Sequence, residues 1–224
     1  MRHLHWVLLA TAAGLALSAS PAVADDERHE GGRGIVAPSG SHELTQIFKH
    51  FIELPIADNP LYGEGEDPCQ RIDREMLVAI TFGEEVTCTA EVGTVVNTGG
   101  GHFCSTFDPV DSPFYADNPK DGRACARRVS VETGMRVSLD GGPWVDLFQP
   151  QYTAHTPPTT VRLPVDNVWG VPPQKGTFYG YGWHANLRNL RVGRHTYTTE
   201  VDVDGRTIAF PHAINIVPRG SLRD

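Results

Sequence analysis

The apolar positions first fall into a helical rhythm. Leu44, Ile47, Phe48, Phe51 and Ile52 stand at i, i+3, i+4, i+7 and i+8, which places them on one stripe of a helix over about residues 42–54. Ser41 can cap its start, and Pro55 ends it because proline cannot continue the hydrogen-bond ladder. Glu43 and Glu53 occupy the polar side with Lys49 as its one permanent cation. A helix of this kind suits docking on a sheet of its own domain, since helices that lie on membranes usually carry a basic polar face.

After a loop rich in proline, glycine and acid over residues 55–68, the rhythm changes to short strands. Residues 76–82, 86–90 and 93–97 are apolar or alternating runs separated by tight turns, and such close spacing predicts antiparallel neighbours. Residues 135–139 and 144–148 flank Asp140-Gly141-Gly142-Pro143 and predict a hairpin. Residues 196–203 and 207–216 flank Asp204-Gly205 and predict a second, while 159–163 and 177–183 are further strand candidates. Roughly nine short strands and one long helix predict a mainly β fold. Its expected form is an antiparallel β-sandwich, immunoglobulin-like in general architecture, with an N-terminal amphipathic helix, in a single domain over residues 41–224.

Two N-terminal stretches stand apart from this pattern. Arg2, an apolar run from Trp6 to Leu17 and the small residues Ala22-Val23-Ala24 read as a signal peptide over residues 1–24, cleaved near Ala24. The run falls short of the ~20 apolar residues a bilayer span needs, so the expectation is a secreted or extracytoplasmic product without stable membrane insertion. Residues 25–40, polar and glycine-rich, read as a flexible lead-in. The net charge of the chain is −8, and loss of Arg2 makes it one unit more negative. That balance opposes nonspecific binding to nucleic acid and to anionic lipid.

Export changes the meaning of the cysteines. Cys69, Cys88, Cys104 and Cys125 all follow the cleavage point, and an even number in an oxidising compartment points to disulfides. Three pairings are possible. Sequence order favours Cys69 with Cys88 and Cys104 with Cys125, because each then closes a local loop around a predicted turn. A metal site is the competing reading, but no pair has the C-x-x-C spacing and His102-Phe103-Cys104 is an isolated H-x-C, so no metal and no cofactor is expected.

Several stretches share a recognisable order. The run from Phe51-Ile52-Glu53-Leu54-Pro55 to Ile56-Ala57-Asp58-Asn59-Pro60 is followed by Cys88-Thr89, Gly93-Thr94, Cys104-Ser105, Ala124-Cys125-Ala126, Leu163-Pro164-Val165-Asp166-Asn167 and Gly193-Arg194-His195-Thr196. In this it resembles a group of uncharacterised exported bacterial β-rich proteins, over about residues 47–203. The resemblance implies a shared β-rich fold and shared cysteines, and no activity. Members of the group usually carry Phe-Phe-Pro after the equivalent of Gly93, where this chain has Val95-Val96-Asn97-Thr98-Gly99.

Catalytic motifs are sparse. There is no G-x-S-x-G elbow, and Thr98-Gly99-Gly100-Gly101-His102 lacks the Lys-Ser/Thr pair and the following helix of a phosphate cradle, so it reads as a mobile hairpin tip. His102, Asp166 and His184 are the groups that could converge in a secreted hydrolase. The aromatic and amide residues Asn167, Trp169, Tyr179, Tyr181 and Trp183 are the candidates for ligand binding. Tyr179, Tyr181 and Trp183 share one strand face, where flat rings suit the C–H faces of sugars. The expectation that follows is a noncatalytic binding or cell-envelope interaction module for a glycan or a surface protein, with a His/Asp hydrolase as the alternative.

Overall fold

The computed structural model describes residues 34–62, 67–73, 75–80 and 85–222. The signal peptide, and the lead-in up to residue 33, lie outside the described residues. The lead-in was expected to stay flexible through residue 40, but a strand begins well before that. Strand β1 (Ile35–Pro38) pairs antiparallel with the long strand β10 (Lys175–Arg188), in register from Ile35 opposite Arg188 to Pro38 opposite Ala185. Ile35 and Val36 give these few residues enough β character to cover a strand edge that would otherwise expose unpaired amides.

Helix α1 spans Ser41–Glu53 and buries Leu44, Ile47, Phe51 and Ile52, the stripe that the spacing predicts. The cap is Gly40 rather than Ser41, and the Gly40 amide donates to the Glu43 carboxylate at 3.1 Å. A residue one place earlier takes the cap because Glu43 can then reach back across the first turn.

The strands form two sheets. In the first, β10 is the hub. Strand β5 (Val95–Ser105) runs along one of its edges, while β9 (Thr159–Arg162), β8 (Thr153–His155) and β1 follow one another along the other. Strands β3 (Met76–Ala79) and β2 (Cys69–Arg71) extend the sheet beyond β5. The second sheet has the order β4 (Val86–Glu91), β12 (Arg206–Val217), β11 (Gly193–Val203), β6 (Glu132–Leu139) and β7 (Val145–Asp146). Leu77, Val96, Trp183, Ala185 and Leu187 of the first sheet join Val137, Tyr197, Ile214 and Ile216 of the second in one buried apolar cluster.

Both predicted hairpins of the second sheet are present. Asp140 and Gly141, and likewise Asp204 and Gly205, have positive φ, the signature of the type I′ turn that suits the twist of paired strands. The early strands differ from expectation. Strand β3 pairs parallel with β5, and β4 leaves for the other sheet to pair parallel with β12. Turn length told only that the strands are close in sequence. Each is apolar enough to be buried on an inner face, so the chain crosses between the sheets and returns.

The glycine run at residues 99–101 is also not a hairpin tip. It lies in the middle of β5, with Gly99 opposite His184, Gly100 opposite Trp183 and Gly101 opposite Gly182. A Cβ on Gly101 would lie 2.5 Å from the Tyr181 carbonyl oxygen and 2.8 Å from the Gly182 Cα, so two backbones approach where no side chain fits. Gly101→Ala is expected to destabilise the fold by about 1–3 kcal/mol, since backbone cannot swing aside as a side chain can. Urea denaturation would show this as a lower midpoint at unchanged slope.

Both disulfides follow the favoured pairing, Cys69 with Cys88 and Cys104 with Cys125. The first joins β2 to β4 and thus one sheet to the other. The second joins β5 to helix α2 (Pro119–Arg128), an element absent from the expected fold. Its start is readable in retrospect: the Asn118 side chain caps the helix by accepting from the Asp121 amide, and Pro119 occupies the first turn. Among the described residues no helix is long and apolar enough to cross a membrane.

Candidate functional site

Strand register sets up a row of polar side chains on the face of the first sheet that meets the second. His102 of β5 lies opposite Tyr181 of β10, and Tyr181 lies opposite His155 of β8. Residues directly opposed in a sheet point to the same side, so the three form a row across it. At one end, Glu132 of β6 meets His102, with Oε1 2.7 Å from Nε2. Burial alone would raise the Glu132 carboxyl, but the bond and charge of His102, with backbone amides at Glu132 and Val131, hold it below the usual carboxylate range.

At the other end, α2 supplies the cations. Arg123 and Arg127 are one turn apart on the helix, and Cys125 between them turns inward to its disulfide. The Arg127 guanidinium lies 5.5 Å above the Tyr181 ring centre, and its Nη2 is 3.2 Å from His155 Nε2. A guanidinium only donates, so Nε2 accepts and Nδ1 of the neutral imidazole carries the hydrogen. Among the described residues, that Nδ1 is buried without a partner. Burial, followed by the charges of Arg127 and Arg123, holds His155 below the ordinary histidine range. Arg123, Ala124, Arg127 and His155 line a cleft of about 530 Å³. Among the described residues, neither arginine forms an ion pair with a carboxylate. The cleft therefore presents two exposed guanidiniums beside a neutral imidazole in an acidic chain.

The other predicted residues do not gather. His102 shares its face with Tyr181, whereas His184 lies on the opposite face, 4% exposed, with Nδ1 2.9 Å from Asn97 Oδ1. Asp166 is exposed in the loop after β9, and its carbonyl accepts from the Ile56 amide at 3.1 Å. The proposed His102, Asp166 and His184 constellation therefore does not form, because three positions on the α1 face, the second-sheet face and a loop cannot converge. The carboxylate that His102 meets is Glu132.

The aromatic stripe is equally changed. Tyr179 is buried against α2, and Trp183 is 5% exposed and stacked on Phe148 at a centroid distance of 4.2 Å. Tyr181 is half-buried, with Trp183 at its edge and Arg127 over its face. These rings fill interior space, so they offer no flat platform to a sugar. Asn167 is buried and ties its own loop, donating to the Pro164 and Val171 carbonyls. Trp169 packs half-buried on Phe107 and Phe103.

Glu132, Arg123, Arg127 and His155 are the residues that motif reading passed over. For two of them a signal exists: the Asn118-Pro119 helix start followed by arginines four apart places both on one helical face. Glu132 and His155 have none, since each meets its partner across strands distant in sequence. Comparison of the chain with protein-family models, with curated proteins and with solved structures finds no match.

Proposed function

We propose that the protein is a noncatalytic binding module, exported to the outside of the cell, that recognises an anionic ligand such as an acidic glycan in the cleft between α2 and β8. In this reading the two sheets form a sandwich of immunoglobulin-like general architecture, and the chain belongs with the exported bacterial β-rich proteins that its motifs resemble. Two disulfides fit an oxidising compartment.

The observation that carries the reading is Arg127. Its guanidinium is held by the Tyr181 face and by His155 Nε2, with Arg123 beside it on the same cleft and no carboxylate paired to either among the described residues. An arginine fixed in this way loses little freedom on meeting a carboxylate or sulfate group, which it can grip through two parallel N–H bonds. The experiment is a titration of trigalacturonate followed through the arginine and histidine resonances, with maltotriose as the neutral control. Binding of the acid alone is expected, weakened at least tenfold by Arg127→Ala and partly by Arg127→Lys, which keeps charge but loses the planar fork. Equal binding of maltotriose, or an unchanged affinity in Arg127→Ala, would refute it.

One observation favours a hydrolase instead, the 2.7 Å contact between His102 and Glu132, in which a carboxylate could orient a histidine base. Products released from trigalacturonate in the same samples, and lost in Glu132→Gln, would decide for that reading.

A further inference from the structure

We infer that an anion seated between Arg123 and Arg127 is taken up together with one proton, which His155 carries. The inference rests on the anion-binding reading of the cleft and adds its regulation.

The groups facing His155 explain why. From α2 come the guanidiniums of Arg127 and Arg123, and from β10 the Tyr181 ring, whose centre is 4.8 Å from that of the imidazole. Beyond Tyr181 along the row stands His102 with Glu132 already engaged on it. Among the described residues, the charges that act on His155 are the two guanidiniums, both cationic. In the empty cleft a proton on Nε2 would break the bond from Arg127 and place a third positive charge beside two others. Among the described residues, none supplies a counter-ion for that proton.

A bound anion supplies it. Its oxygens take the N–H that Arg127 had given to His155, and its charge offsets both guanidiniums. Nε2 is then free to accept a proton from solvent and to donate it to a ligand oxygen as a third charge-assisted bond. Nδ1 keeps the hydrogen it already holds, so the ring becomes an imidazolium without a change of tautomer. Proton and anion then bind with positive coupling, and by linkage each raises the affinity for the other. Affinity must rise as pH falls, by up to tenfold per pH unit while one proton is taken up. The slope ends once the empty site is itself protonated. Uronate carboxylates titrate near the range of ordinary carboxylic acids, around pH 3–4, and so stay charged throughout a pH 7.5–5.5 window.

The test is calorimetric titration of the folded, disulfide-bonded protein with trigalacturonate at pH 7.5, 6.5 and 5.5, in two buffers of different ionisation heat. The expected result is an affinity that rises tenfold or more over the series, with a net uptake approaching one proton at pH 6.5. His155→Gln keeps an acceptor oxygen for Arg127 but cannot titrate. It is expected to bind still, with the pH slope gone, and His102→Gln is expected to keep the slope. A pH-independent affinity, an affinity that falls on acidification, or a slope that survives in His155→Gln or vanishes in His102→Gln would overturn the inference while leaving the anion site standing. Failure of the wild-type protein to bind at any of the three pH values would overturn the site and the inference together.

Discussion

Between pH 6.5 and about pH 4 the protein is expected to lose stability on the order of 3 kcal/mol for each of two buried histidines, at 1.36 kcal/mol per unit of pKa displacement. His184 is packed on the α1 face of the first sheet, bonded to Asn97 through Nδ1 and, among the described residues, without a partner at Nε2. Burial pushes it down to about 4, against a small opposing pull from Glu43. His212 of β12 lies parallel to the Tyr197 ring at 4.4 Å, and burial pushes it to about 4 as well, against contacts with the Phe210 and Ala79 backbone. Both folded-state values lie below the ~6.5 of an unfolded histidine, so in this window the unfolded chain binds more protons. The stabilisation is fully present above pH 6.5 and is lost as pH falls through about 4.

Asp108 opposes this. Burial raises its carboxyl to about 6, although Ser105 and Trp169 donate to it. Its folded value lies above the unfolded one, so the stability it contributes is present at low pH and is lost as pH rises through about 6. Acidification to pH 4 therefore returns about 3 kcal/mol of the ~6 kcal/mol that the histidines remove. Urea denaturation at pH 7, 5.5 and 4 should show a net loss of at least about 3 kcal/mol, since the lowered Glu132 and His155 add to it, and Asp108→Asn should make it steeper. A stability flat across that range would show that the two imidazoles are not buried in neutral form.

Removal of either disulfide is expected to have a similar size of effect but different consequences for the cleft. The bridges close separations of 19 and 21 residues, and a crosslink of that span restricts the unfolded chain by about 3 kcal/mol. Loss of Cys69–Cys88, as Cys69→Ser with Cys88→Ser, frees the β2 edge of one sheet from the β4 edge of the other. There the bond from Arg71 to the Thr89 carbonyl at 3.1 Å remains beside the apolar packing of Ala79 and Val86. The cleft lies elsewhere, so anion binding should persist in whatever fraction stays folded. Loss of Cys104–Cys125 releases α2 from β5 and with it the two arginines. Cys104→Ser with Cys125→Ser should therefore lower the denaturation midpoint and also weaken trigalacturonate binding at least tenfold under conditions where the protein is still folded. Equal binding by both double variants would mean that packing of Gly122 and Tyr179 alone holds α2 in place.

Much of the architecture is legible along the chain, and the places where it is not are instructive. The α1 stripe and the two Asp-Gly and Asp-Gly-Gly hairpins are local features, in which residues within a few positions settle the outcome. The glycines of β5 failed as a turn signal because glycine also marks close approach of two backbones, and only the partner strand distinguishes the two uses. The aromatic stripe of β10 keeps the alternation that the sequence predicts, but in a covered environment that the sequence does not reveal. Alternation tells which rings share a face, whereas the second sheet and α2 determine that this face is covered.

By itself, then, the sequence determined the helix stripe, the β-rich class and the two hairpin turns, and it favoured the cysteine pairing that forms, all of which depend on short separations along the chain. Only the tertiary structure decided that β3 and β5 run parallel, that one disulfide spans two sheets, and that His102 meets Glu132 instead of Asp166. It also decided that Arg127, Tyr181 and His155 come together. The physical reason is the same in each case. A cross-strand neighbour is set by register over tens of residues, and register follows from how the two apolar faces bury each other rather than from any local pattern.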